Sequence, residues 1–519
     1  MTPLILALDS GTSVVKALAF ETDGTLIAAA SRPNLYDILP GGGAEQDMER
    51  SFDDAVAVLL ELTQQVAGRE IAALAVTGQG DGTWLVDAED QPVGPGWLWL
   101  DARGAPFVEE LTASGAAQAA FAYTGSGLAA CQQVPQLLWM QRHRPDLLAR
   151  ATTSLHPKDF LYLRLTGTRA TSPDEGSFTF GDFRLREYRD EVLAALGVRP
   201  FRRLLPPMVD GTRVAHPLTG PAAARAGLPP GLPVVLGHVD VVCCALGAGI
   251  YGADGDTGLT IVGSTGMHLR LVPDLAHVAP SPAQTGYCMA FPVPGHTLQA
   301  QTNMASTLNI DWVASLMIEA AALAGAGLSR AAALDAINAG VAAARPGAIL
   351  YHPYISTAGE RGPFTDATAR ASILGLDQNV RLMDLARGVY EGLAFAARDC
   401  FAAIGGAPGS ILITGGAARS RVLRDILAAV LDRPVRAAAQ AEAGAAGAAM
   451  MAAVQAGIFP DMAACAAVWT TPRLGPAVAP DPELARFYDR LFPVYREAIH
   501  AMAPLWRHLH DVREGAHAD

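Results

Sequence analysis

Cysteine is scarce. The 519-residue chain has six, at positions 131, 243, 244, 288, 400 and 465, and no two are spaced as CxxC. That speaks against a disulfide framework and predicts buried thiols in a reducing cytoplasm, with Cys243 and Cys244 packed inside a helix. Positive charge is also short. Lys and Arg number 38 against 51 Asp and Glu, a net charge of -13. Nucleic acid or an anionic membrane as the main partner requires a basic face, so neither is expected. No window reaches about 18 apolar residues without a charge or a turn signal, so no membrane span is expected. The opening "MTPLILALDS" has no basic segment and meets a carboxylate by Asp9, which reads as a first strand and not a signal peptide. Charged residues make up only 17% against 50% hydrophobic, which excludes a disordered class and predicts a compact globular protein. At this length one core is too few, and two or three domains are expected.

What is present is an alternation of strand and helix signals in two blocks. "LALDSGTSVVKALAF" (6–20) reads as strand, polar turn, strand, and "LTIVGSTGMHLRLV" (259–272) reads the same way about 250 residues later. The spacing is too long for a solenoid and fits a duplicated α/β domain whose two turns face each other across a cleft; two unrelated hairpins are the alternative. Between them, residues 104–150 carry helical periodicity, "HPKDFLYLRLTG" predicts a helix closed by Gly167, and residues 170–235 are rich in loops and proline.

Four stretches carry possible chemistry. In the first turn, the backbone N–H groups of Gly11, Thr12 and Ser13 are placed to hold phosphate oxygens, and Asp9 to hold Mg²⁺ as a hard oxygen ligand, with Lys16 alongside; an ordinary Asx-type hairpin turn is the bland reading. "VTGQGDGTW" has the glycines of a dinucleotide fingerprint, but a strand follows where that motif needs a helix. It is therefore read as a connection exposing Gln79, Gly80 and Asp81 for hydroxyl recognition, with Asp101 and Arg103 just beyond the next strand and a structural ion pair as the alternative for Arg103. In "GHVDVVCCALGAG", Asp240 begins a helix of small apolar residues; a cap would explain it, but as the lone reactive group there it suits a general base. In "ILITGGAARSRVLRDIL", a strand runs into Gly415 and Gly416, where a flat ring can approach the backbone, and Glu442 begins the helix beyond.

Taken in order, "LDSGTSVVKALAF", "GHVDVVCCALGAG", "GSTGMHLRL", "PYISTAGERGPFTDATARASILGL" and "TGGAARSRVLRDILAAVLDRPV…EAGAAGAAMMAA" resemble the FGGY carbohydrate kinases of the actin-like ATPase superfamily, over about residues 4–460. The resemblance implies an α/β, two-domain, ribonuclease H-like fold with a cleft between an N-terminal FGGY domain (1–245) and a C-terminal one (246–485), then a C-terminal helix and polar tail (486–519). It implies ATP and Mg²⁺, a sugar or polyol substrate, and a homodimer. It assigns Asp240 as catalytic base, also touching substrate, and Asp9 as the metal position. Gly11, Thr12, Ser13 and Lys16 form the first phosphate loop, and Gly263, Ser264, Thr265 and Gly266 the second. Gly415, Gly416 and Ala417 lie near the adenosine, and Gln79, Gly80, Asp81 and Arg103 in the sugar-contact loops.

The chain departs from the family pattern after the double glycine, where Leu423, Asp425 and Ala428–Ala429 replace the usual Trp, Gln and Ala–Asp. In the substrate loop, GQGDG stands where xylulokinases read GQMHG, which directs the expectation to the erythritol kinase branch first and xylulose or ribulose kinases second. A non-catalytic actin-like sensor keeps the phosphate turns without the base, and Asp240 counts against it. An Hsp70-like ATPase needs a peptide-binding domain for which about 60 residues leave no room.

Overall fold

The computed structural model describes residues 2–252, 256–438 and 440–517. Two six-stranded mixed sheets form the two lobes. In the first, Leu4–Ser10 is central: it runs antiparallel to Val14–Phe20, its hairpin partner, and parallel to Ile71–Gly78, which in turn lies parallel to Pro233–Leu236. In the second, Thr257–Val262 holds the same place: antiparallel to Gly266–Val272 and parallel to Ser410–Thr414, beside which Val435–Ala437 runs parallel. The two hairpins are thus equivalent elements of a repeated unit, as the sequence pattern predicts.

The lobes meet at two helices, Asp240–Ala248 and Ala443–Gln455. Both are built almost wholly of small apolar residues, and their backbones touch where they cross. A Cβ on Gly447 would lie 1.9 Å from the Cys243 carbonyl oxygen, and one on Gly247 would lie 2.0 Å from that of Ala443. No side chain fits there, so the first turns of the second helix are held against the backbone of the first. A shared apolar core surrounds this crossing, drawing Ile5, Ala7 and Val235 from one sheet and Leu259, Leu269 and Leu412 from the other. Each lobe adds a core on the outer face of its own sheet. The C-terminal helix runs from Pro482 to His517, so the expected polar tail is helical as far as it is described, and its Tyr488, Tyr495 and Trp506 are buried in the core of the second lobe.

A helix forms at Met48–Gln65, capped by Asp47, and the expected one forms at Pro157–Thr166, ended by Gly167 in the left-handed conformation. At the family departures, Leu423, Ala428 and Ala429 point into the core and Asp425 pairs with Arg421 at 2.8 Å, so Arg421–Leu431 is an ordinary amphipathic helix. Among the described residues, no helix is long and apolar enough to cross a membrane.

Candidate active site

A cavity of about 220 Å³ opens between the lobes. The structure brings Thr12, Gln79, Gly80, Asp81, Asp240 and Thr265 together on its wall, although they come from four distant stretches of chain. The tips of both hairpins reach it. The first turn is braced from behind by Asn34, whose amide donates to the Gly11 carbonyl at 2.7 Å and whose backbone N–H donates to that of Ser13 at 2.9 Å. The second is braced by Ser306 and Thr307, whose N–H groups donate to the carbonyls of Ser264 at 2.8 Å and Gly263 at 2.9 Å. Gly266 begins the returning strand opposite Asn303.

Asp9 and Asp240 are the paired carboxylates of the site. Asp9 lies in register with Lys16 across the hairpin, and its Oδ2 would be 3.2 Å from a Cβ on Gly444, so it sits against the start of the Ala443–Gln455 helix. Burial pushes Asp9 up to about 6, against the pull of Lys16 and with a further push from Glu442. Burial and then the Asp9 charge push Asp240 up to about 8. Two carboxylates drawn out of water, with the Asp9 charge raising Asp240, make a hard-oxygen donor set short of positive charge, which is the chemistry a divalent cation suits. The nearby Lys16 does not supply that charge in full, because its ammonium donates to Glu442 at 2.7 Å.

The substrate loop differs from its expected form. Sequence reading makes it an exposed connection; in the structure Gln79 is 2% exposed, and the loop is folded inward onto the cavity. Gly80 is required there, since a Cβ would meet Val239 Cγ2 at 2.4 Å and Glu175 Oε1 at 2.8 Å. Asp81 adopts φ +56°, a left-handed conformation uncommon outside glycine and asparagine. Its N–H donates to Glu175 Oε1 at 3.0 Å and its Oδ2 accepts from the Cys131 thiol at 3.4 Å. Its Oδ1 is buried and accepts from nothing, and so is Gln79 Oε1. Burial raises the Asp81 carboxyl above the ordinary range. Gln79 donates to Gln46, which donates to Asn34, so one chain of amides joins the substrate loop to the first phosphate turn.

Behind this loop is a group of residues that sequence reading missed. In the helix Pro173–Phe180, consecutive acids serve both halves of the site: Asp174 Oδ2 accepts from the Val239 N–H at 2.8 Å, just before Asp240, while Glu175 holds Asp81. Both are wholly buried. The Lys158 ammonium lies 3.3 Å from Glu175 and 2.7 Å from Asp159, and His238 Nδ1 lies 3.4 Å from Asp174 Oδ1. His156, Asp159 and Glu175 are close enough together for a metal, but the Lys158 ammonium already bonds two of the three. Trp99, Phe178, Tyr287 and Met289 complete the apolar wall, with Trp99 donating to Thr12 Oγ1 at 2.8 Å.

Other expected residues lie apart from the cavity. The Arg103 guanidinium is bound by Asp101 at 2.5 Å and Glu45 at 2.8 Å and lies 3.4 Å from the Trp97 ring centroid, so its side chain makes the ion pair weighed as the alternative. Gly415, Gly416 and Ala417 follow the strand Ser410–Thr414 beside Val262, and a Cβ on Gly416 would face open space.

Comparisons with known proteins give the family. The family model for the N-terminal domain of the FGGY family of carbohydrate kinases matches residues 4–247, and that for the C-terminal domain matches 258–456. An erythritol kinase of Brucella abortus (strain 2308) is 48% identical over 505 residues, 97% of either chain. A xylulose kinase of Escherichia coli (strain K12) is 29% identical over 430 residues, covering 82% of this chain and 84% of that one. The crystal structure of a xylulose kinase from Rhodospirillum rubrum superposes with a TM-score of 0.87 at 28% identity, covering 97% of this chain and 100% of that one.

Proposed function

The chain belongs to the FGGY family of carbohydrate kinases, and from that premise we propose that it transfers the γ-phosphoryl group of ATP to a terminal hydroxyl of a small polyol, erythritol. One observation carries the polyol assignment. Asp81 presents a buried carboxylate oxygen with nothing to accept from, on the wall of a cavity of about 220 Å³. An ionised carboxylate only accepts, so it favours a hydroxyl over a carbonyl at the carbon it faces. The likeness to the Brucella erythritol kinase supports the same substrate. Xylulose kinases are also relatives, which makes a ketose the competing reading.

In the reaction, Asp240 takes the proton of the terminal hydroxyl. The freed oxygen bonds to the γ-phosphorus as the bond from that phosphorus to the β,γ-bridging oxygen breaks, and ADP departs. The two hairpin turns cradle phosphate oxygens through backbone N–H groups, and positioning supplies most of the catalysis. Mg²⁺, when bound, supplies positive charge against the phosphates, with Asp9 as the residue to hold it. Lys16 is available for the same task. Its pairing with Glu442 is about one-third exposed on each side, and ion pairs that open to solvent contribute about 0–1 kcal/mol, so a phosphate competes for it readily.

The test is ADP release by purified protein with Mg·ATP over a panel of erythritol, ribitol, glycerol, D- and L-xylulose and ribulose. Erythritol is expected to give the highest kcat/KM. A higher value for D-xylulose would overturn the polyol assignment and leave the kinase assignment standing.

A further inference from the structure

Among the described residues lining the cavity, one carries a positive charge: Arg361, from the second lobe. Its loop is held rigidly. The Glu360 carboxylate accepts from the N–H groups of Met304 at 2.9 Å, Arg361 at 2.9 Å and Gly362 at 3.4 Å. The Asn303 amide donates to the Gly362 carbonyl at 2.9 Å. The backbone of Arg361 is therefore fixed against the end of the strand Thr297–Asn303, whose Thr302 also lines the cavity.

The guanidinium feels the negative charges of Asp81 and Glu360 but pairs directly with neither. Its Nε is buried with no hydrogen-bond partner, and among the described residues it forms no ion pair. This protein neutralises comparable arginines elsewhere. Arg387 bonds Glu391 at 2.8 Å and Tyr488 at 3.1 Å, and Arg103 bonds Asp101 and Glu45. A buried N–H with no acceptor is costly, so the place of this one on a cavity wall points to a ligand that completes it. Across the same cavity is the complementary orphan, Asp81 Oδ1, carried by the first lobe.

We propose that Arg361 is a specificity-determining residue that acts with Asp81 as a donor–acceptor pair, one from each lobe, reading the non-reacting hydroxyls of the substrate. The proposal rests on the polyol reading above and names how that substrate is held. A hydroxyl both donates and accepts. A polyol placed between the pair donates to Asp81 and accepts from Arg361, whereas an acceptor-only group satisfies Arg361 alone. Because the two residues belong to different lobes, the bound polyol also links them. Substrate occupancy is thereby coupled to closure of the cleft, which excludes water from the phosphoryl transfer.

The experiment compares wild type, Arg361→Gln and Arg361→Lys by steady-state kinetics, using the acceptor that the wild-type panel returns as best. The polyol reading stands or falls on that panel, and the role of Arg361 is then read with whichever acceptor emerges. Arg361→Gln is expected to raise KM for the acceptor at least 30-fold while KM for ATP moves less than threefold. Arg361→Lys is expected to recover part of the loss, since lysine restores the charge without the planar fork. Wild type is expected to show an acceptor-induced change in small-angle scattering, and Arg361→Gln to show none. A change of less than threefold in acceptor KM for the Lys and Gln variants, or a loss confined to KM for ATP, would overturn the assignment. Arg361→Lys keeps the test decisive should Arg361→Gln not fold.

Discussion

Replacing Asp81 with asparagine separates what this residue does for binding from what it costs the fold. Asparagine is nearly isosteric and tolerates the left-handed backbone that Asp81 adopts at φ +56°, so the N–H bond to Glu175 is expected to survive. What disappears is the charge and one acceptor. A hydrogen bond to a charged group contributes about 1.5–3 kcal/mol. At about 1.4 kcal/mol per decade, its loss predicts a fall of about 10- to 150-fold in kcat/KM for erythritol. D-xylulose, if its carbonyl faces this carboxylate, should lose less, so the ratio of the two kcat/KM values should narrow. Asp81→His, which restores the imidazole of the GQMHG loop, should narrow or reverse it.

The effect on stability has the opposite sign. Burial raises the Asp81 carboxyl above its unfolded value, so folding favours the protonated form, and stability is lost as pH rises from the unfolded pKa through the folded one. At pH 8 the wild type carries that penalty and Asp81→Asn does not, so the variant should melt at a higher temperature. Coupled ADP-release kinetics and thermal melts in the absence of ligands measure both quantities. Equal losses for erythritol and D-xylulose, or a lower melting temperature at pH 8, would refute the reasoning.

Asp240→Asn should retain ADP binding by calorimetry and lose about 10²–10⁴ in turnover, the usual worth of a general base; near-normal turnover removes Asp240 from the mechanism. Since Asp240 acts unprotonated and its carboxyl is pushed up to about 8 in the free enzyme, kcat/KM measured below saturation should rise with pH and level off above that value. Asp9→Asn removes the like charge that helps raise Asp240 and should move this limb to lower pH, while increasing the Mg²⁺ needed for half-maximal activity; an unchanged metal titration would make the first turn only a turn. Glu175→Ala takes away the acceptor of the Asp81 N–H and one neighbour of the buried Lys158, for which urea unfolding should show a loss of about 3–5 kcal/mol, with KM for the polyol rising more than KM for ATP.

The phosphate-handling half of the site was legible in the sequence because its parts are local. A hydrophobic strand, a turn of Gly, Ser and Thr, and a returning strand occupy about a dozen consecutive residues, and each hairpin carries its chemistry within that span. Asp240 was legible for a related reason: it stands at a strand-to-helix junction where every residue after it is small and apolar. The structure places one residue of each of these stretches, Thr12, Thr265 and Asp240, on one cavity.

The substrate-handling half is assembled by tertiary contacts, and no local pattern announces them. Glu175 and Asp174 lie in a stretch that reads as loop-rich, and their meaning depends on Lys158 beneath them and on the backbones of Asp81 and Val239 above. Arg103 shows the converse: an arginine just past a strand invites a ligand contact, and only the nearby Glu45 and Trp97 reveal that its charge and its face are already engaged. Arg361 is written plainly in "GERGPF", but its buried Nε without an acceptor is a property of the folded surroundings. Unpaired polar atoms are the one signature of a ligand that a sequence cannot carry, because every charged residue is unpaired until the chain has folded. Apart from the Glu175 oxygen that lies against His156 and Lys158, three border or face this cavity, on Gln79, Asp81 and Arg361. They comprise two acceptors from the first lobe and one donor from the second, the set that a molecule made of hydroxyls can satisfy at once.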